Sequence, residues 1–291
     1  MPVIIDYGIH LLPIAILILL PATILITYSI AVSLKHVTPT GLPYISDTGT
    51  FSPESCIFGQ LLNMIGFLIA IFVHTRYNQV KIFNKILNQR SKIYCDRLNL
   101  LSLVSGIMSA LGLSLVANFQ ETNVIIIHVI GAYLIFGIGA FYLILQTYFT
   151  YKLHIVNSIY IKTSRVIANI IICLSFVLVI LGAILAGRNP LELPAHHKWT
   201  PGSKGYRWHV ISALSEWALA FAFLLYMGSF VSEFRALEWD FPQIKIRIEY
   251  EPLLYVGTLN INQPRSEPEY SNDYQNIGGD PFLANKINHV V

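Results

Sequence analysis

His209, Ser212 and Glu216 stand three and four positions apart near the start of the last long apolar run, so they share one face of a helix. An imidazole and a carboxylate placed this way have three chemical uses. They can fasten helices as a hydrogen-bonded network, hold a lipid headgroup or an ion, or exchange protons with a substrate. The first use is the plainest reading, and the other two stay open. Other polar residues fall near the matching ends of neighbouring apolar runs. Gln60 and Asn63 begin the second, Asn118 and Gln120 follow the third, and His128 lies one turn into the fourth.

Between the first two runs comes Pro43-Tyr44-Ile45-Ser46-Asp47-Thr48-Gly49, followed by Pro53-Glu54. Pro, Ser, Asp and Gly at that density describe a folded turn in which Asp and Ser side chains bond nearby backbone. The turn is either a structural staple or a loop that touches a ligand. Asn118 is also placed to cap the C-terminal end of the third helix. The candidate ligand set is therefore Tyr44, Ser46, Asp47, Glu54, Asn63, Asn118, Gln120, His128, His209, Ser212 and Glu216. His196-His197 form a polar loop pair, but a metal site needs further ligands at fixed spacing and none is evident. No Gly-x-Ser-x-Gly, His-Glu-x-x-His or phosphate loop occurs. No catalytic residue, metal or cofactor is expected.

The elements that must carry these residues are helices in a bilayer. The chain of 291 residues is 54% hydrophobic and 12% charged, where a soluble domain carries about 25% charged residues. One crossing takes about 20 apolar helical residues. Six runs qualify: residues 11–34, 57–74, 98–117, 124–148, 166–187 and 208–231. The fold class expected is all-α, a polytopic six-helix transmembrane bundle over residues 1–235. Pro13 and Pro21 lie in the first run, where neighbours or Ser/Thr groups can satisfy freed carbonyls. Ser102, Gly106 and Ala110 recur every four positions in the third and permit close helix contact. Cys56, Cys95 and Cys173 are too scattered for a disulfide framework. No Asn-x-Ser/Thr sequon is present. The first run lacks a basic lead and a small-residue cleavage site, so it reads as a retained helix.

Cytosolic connections carry the excess of Lys and Arg. The second and fourth connections and the start of the tail together hold twelve, among them Arg76 and Arg165; the other three connections hold five. Both termini are therefore expected in the cytosol, with the polar set on the lumenal side. The net charge of +3 is small and spread in short blocks, unlike the clustered face of a nucleic-acid binder. The tail, 236–291, is polar and rich in Asn, Pro and Tyr, and is expected to be mostly disordered. It contains Glu249-Tyr250-Glu-Pro-Leu253-Leu254, which fits both an acidic dileucine and a tyrosine-based sorting pattern. The alternative is a short amphipathic strand, since Ile244, Ile246 and Ile248 alternate with charged residues.

Pro43 to Thr50 with Pro53-Glu54, Ala117-Asn-Phe-Gln120, His128 with Gly131-Ala132, Lys204-Gly-Tyr206, and His209 with Glu216-Trp217 resemble the DNA-damage-regulated autophagy modulator family, its second branch most of all. The resemblance runs from about residue 10 to 235. It is specific in the first loop and in the third, fourth and sixth runs, and weak in 77–97, the fifth run and the tail. It implies a lysosomal or late-endosomal membrane protein that promotes autophagy, with links to cell death. The wider superfamily includes proteins that remodel the lipid of glycosylphosphatidylinositol anchors, so lipid contact is also implied. The expected partners are membrane lipids, sorting adaptors and autophagy-machinery proteins. A lipid-remodelling enzyme or accessory, acting on a headgroup or acyl ester, is the alternative. A proton-linked small-solute transporter is the third reading. An enzyme requires a nucleophile and base within hydrogen-bond reach, and a transporter requires a polar path to both faces.

Overall fold

The apolar runs are hydrophobic around most of their circumference, so their large side chains can face lipid as readily as the bundle. Ile18, Phe67, Ile170 and Phe221 are each more than 60% exposed. The buried positions include many small or polar residues: Thr23, Thr27, Ser102, Ser105 and Ser212 are all buried. Helices in lipid gain no hydrophobic drive from associating, so close approach and interhelical hydrogen bonds set the packing.

The structure, a computed structural model, describes residues 8–86, 92–155, 158–187 and 199–237. Gly8–Leu237 bound one compact unit. Its elements are α1 (Leu11–Ser33), the 3-10 turns Pro39–Gly41 and Ser46–Gly49, α2 (Glu54–Ile86), α3 (Lys92–Asn118), α4 (Ile125–Ala132), a π-helical stretch (Tyr133–Ile138), α5 (Gly139–Lys152), α6 (Ile159–Leu185), α7 (Tyr206–Gly228) and α8 (Val231–Phe234). No strand occurs among the described residues. Six helical stretches are long and apolar enough to cross a membrane. The fourth is α4, the π stretch and α5; the sixth is α7 with α8. The chain is a multi-pass membrane protein, as its composition requires. Six crossings return the chain to the end where it began, here called the tail end. Residues 34–53, 119–124 and 199–205 lie at the other, the loop end.

Hydropathy located the crossings but not their ends. α2 runs on to Ile86 and α6 begins at Ile159, each well beyond the apolar run. Hydropathy registers the hydrocarbon core, whereas a helix continues until a turn ends it. Arg76 and Arg165 were expected in connections; both lie inside helices and are fully buried. The tail with its sorting pattern, and His196 and His197, lie outside the described residues.

Small residues set the helix crossings. A Cβ on Gly59 would meet the Ala117 carbonyl at 2.9 Å, and one on Gly66 the Ala110 carbonyl at 3.3 Å. Gly59, Gly66 and Val73 are seven apart, and Val73 packs where a Cβ on Gly106 would clash at 2.6 Å. The seven-residue spacing keeps one stripe of α2 facing α3 along its length. Ala110 and Gly106, two of the three small residues in the expected stripe, thus line a close α2–α3 seam, while Ser102 bonds Gln146 on α5 at 2.6 Å.

Candidate functional site at the loop end

The first three turns of α7 present four polar side chains to the segment 40–45, and each takes main-chain groups. Tyr206 donates its hydroxyl to the Thr40 carbonyl at 2.8 Å. His209 Nε2 lies 3.0 Å from the Gly41 carbonyl and 3.1 Å from that of Leu42. Carbonyls only accept, so Nε2 carries the proton. Trp217 Nε1 donates to the Pro43 carbonyl at 3.0 Å, and Glu216 Oε2 accepts the Ile45 N–H at 2.9 Å. Five backbone groups of one short segment are thus held by one helix. Gly205, at φ +82°, precedes α7 in the left-handed region, and a Cβ there would lie 2.5 Å from the Ala186 carbonyl. This explains the Lys204-Gly-Tyr turn.

The loop also fastens itself. Asp47 Oδ2 accepts the Tyr44 N–H at 2.8 Å, and the Thr48 hydroxyl donates to the Ile45 carbonyl at 2.7 Å. Thr48 shares a second hydrogen bond with Thr27 of α1. The His209 ring stacks on Trp199 with centroids 4.4 Å apart and meets Tyr44 edge-on at 5.1 Å. Ser46 donates to Glu121 at 3.4 Å. Glu54, fully buried in the first turn of α2, pairs with His36 at 2.5 Å.

The remaining candidates do not join this assembly. Asn63 and Asn118 exchange amide hydrogen bonds at 3.1 Å, and Ser114 donates to Asn63 at 2.7 Å. Asn118 also bonds the Ser114 carbonyl, so it serves the end of α3 and reaches α2 at once. With Gln60, Cys56 and Gln120 this pair lines a polar cleft of about 280 Å³. His128 Nδ1 bonds the Phe119 carbonyl at 2.8 Å, tying α4 to the preceding turn. Ser212 donates to the Val179 carbonyl of α6. It shares the helix face with His209 and Glu216, yet a buried face is wide enough to touch two neighbours. His209 and Glu216 each bond the loop. Asp47, His209 and Glu216 therefore meet on the segment 40–45, while Asn118 and His128 fasten other parts of the same end of the bundle. No group of three metal-ligating side chains occurs among the described residues.

Sequence reasoning missed the tail-end network. Arg76 donates to Glu233 at 2.5 Å, to Gln79 at 2.6 Å and to Gln146 at 2.8 Å. Arg165 donates to the other oxygen of Glu233, to Thr150 at 2.7 Å and to Ser229 at 2.9 Å. Both guanidiniums lie over the Phe230 ring, with Arg76 at 4.8 Å and Arg165 at 3.9 Å from its centroid. Gln146, inside the fourth apolar run, and Thr150, just past its end, were the available signal. Between the two polar ends lies a cavity of about 130 Å³, walled mainly by apolar side chains of α1, α2, α3, the fourth crossing and α7.

A family model described as the Frag1/DRAM/Sfk1/Cwh43P N-terminal domain matches residues 8–237, the same stretch as the compact unit. The human DNA damage-regulated autophagy modulator protein 2 is 38% identical over 246 residues, covering 83% of this chain and 87% of the relative. The chain belongs to the DNA damage-regulated autophagy modulator family. Human DNA damage-regulated autophagy modulator protein 1 is 38% identical over 211 residues, 72% of this chain and 84% of its own. A Xenopus laevis protein named modulator of macroautophagy TMEM150B-B is 32% identical over 240 residues, 81% and 90%. No solved structure matches the chain. The family assignment spans all six crossings, and both polar ends described above fall inside it.

Proposed function

We propose that the protein modulates autophagy from a lysosomal or late-endosomal membrane, as a non-enzymatic component that makes lipid or protein contacts at its loop end. In this reading the loop end is lumenal and both termini are cytosolic, as the distribution of Lys and Arg indicates. The relatives' names supply the process. The observation that carries the reading is the pinning of segment 40–45 by α7, with five of its backbone groups held by Tyr206, His209, Glu216 and Trp217. A loop held at that density is a rigid platform, and preordered surfaces bind without a large ordering cost. The polar cleft beside it, with Gln60 and Asn118 exposed, offers adaptable hydrogen-bonding groups for a headgroup or a partner chain. The polar side chains of the assembly are occupied in holding backbone, which favours scaffold over acid–base chemistry. The apolar walls of the central cavity oppose a continuous polar path, and so oppose the transport reading.

The test uses Gln60→Ala combined with Gln120→Ala, two cleft residues that hold no helices together. In cells depleted of the endogenous protein, the double variant should reach the same compartment, keep its melting temperature and lower autophagic flux relative to wild type. Unchanged flux at equal expression removes the cleft as the working surface. An epitope inserted after Gly202, which is exposed with open space around it, should be shielded from antibody in cells permeabilised only at the plasma membrane; staining there reverses the orientation.

A further inference from the structure

Tyr142 lines the central cavity, is 4% exposed, and its hydroxyl has no hydrogen-bond partner. A buried hydroxyl without a partner costs free energy that a ligand can recover. One helical turn further along α5 is Gln146, which bonds Arg76, and Arg76 itself lies one turn beyond the cavity-lining Val73 on α2. Arg76 Nη2 is likewise buried and unpaired. Two guanidiniums share one carboxylate in that network, which leaves a formal charge of +1 just past the cavity floor. Charges at membrane depth are normally paired. At the opposite end the polar lining is Ser46, His128 and Glu216, each hydrogen-bonded within the protein.

The walls suit a hydrocarbon chain. From Phe58 to Val73 the lining runs fifteen residues along α2, about 22 Å at 1.5 Å per residue. One bilayer leaflet is about 15 Å of hydrocarbon, half the core thickness.

We propose that this cavity is a binding site for a single-chain fatty acid, with the carboxylate accepting a hydrogen bond from the Tyr142 hydroxyl near the Arg76–Glu233–Arg165 network and the acyl chain extending toward Ile45 and Phe58. The unpartnered Tyr142 hydroxyl and the network of net charge +1 set this polarity, while Glu216, Ser46 and His128 at the loop end are already hydrogen-bonded. The proposal goes beyond the autophagy reading and does not depend on it. A bound chain touches the underside of the loop through Ile45 and Ser46, so occupancy would stiffen the platform from within.

The experiment uses the full chain in lipid nanodiscs, labelled with a laurate analogue bearing a photoreactive diazirine. Unlabelled laurate should compete, and dodecanol, which has the same chain without the charge, should compete at least about tenfold less well. Tyr142→Phe removes a hydroxyl with no protein partner, so the fold is retained, and laurate should weaken about tenfold. Ala220→Phe fills the cavity and should abolish labelling; if it does not fold, Tyr142→Phe and the dodecanol comparison still decide the matter. Equal competition by dodecanol and laurate overturns the proposal. So does an unchanged laurate affinity in Tyr142→Phe, or label that lands on the lipid-facing Phe67 and Phe221. None of these readouts involves autophagy, so a failed flux assay and a failed binding assay are distinguishable.

Discussion

Glu233 is surrounded by groups that need its charge: both of its oxygens accept from buried guanidiniums. Removing one partner of a buried ionic group leaves the others uncompensated, at about 3–5 kcal/mol. Glu233→Gln should therefore lower stability by that order, read as thermal unfolding in detergent. Arg165→Met leaves Arg76 and Glu233 as a balanced pair, so it should cost clearly less. If Arg165→Met proves the worse of the two, charge balance does not govern the network. Asp47 has a lighter task at the other end, accepting the Tyr44 N–H. Asp47→Ala should cost about 1.5–3 kcal/mol by the same measurement, the range for a hydrogen bond to a charged group. A smaller effect would mean that α7 alone holds the turn. The candidate residues were legible by type because polar side chains inside apolar runs are conspicuous. Their partners were not. Most of them bond backbone carbonyls and N–H groups, which every residue carries and no residue letter marks.

At the scale of elements, the α2–α3 seam depends on the lack of side chains at Gly59 and Gly66. Gly59→Leu drives a branched side chain against the Ala117 carbonyl, a backbone atom that cannot turn aside. Overpacking typically costs about 1–3 kcal/mol. The variant should unfold at lower temperature in detergent, and cysteines placed across the loop-end turns of α2 and α3 should crosslink less well. Normal crosslinking would show that the seam tolerates separation. Two small residues of this seam, Gly106 and Ala110, stood out in the sequence with Ser102 at a four-residue spacing on α3. The matching seven-residue spacing on α2 was less visible, since two glycines among large apolar residues suggest nothing until a facing backbone is in place. The π-helical stretch Tyr133–Ile138 in the fourth crossing had no sequence signal either. Such a bulge is a response to packing rather than to local propensity.

For the whole molecule, the proposed cytosolic tail carries Glu249, Leu253 and Leu254, outside the described residues. Leu253→Ala with Leu254→Ala should shift the protein toward the cell surface, measured by surface biotinylation. Unchanged residence in the endolysosomal compartment would assign delivery to the membrane unit instead. The sequence by itself determined the membrane class, the six crossings and the family, because each rests on a property summed over many residues. Apolar length is additive along a helix, and the motifs of the first loop and the last crossing lie in short contiguous runs. Only the tertiary structure decided which polar residues meet. Arg76, Arg165 and Glu233 come from places 68 and more residues apart. The charge of the two arginines had counted toward cytosolic connections because nothing local shows that a buried carboxylate awaits them. His209 and Glu216, neighbours on one helix face, turned out to serve separate groups of a loop some 170 residues earlier. Side-chain pairing is a long-range property of packing, and a linear pattern records only which faces exist.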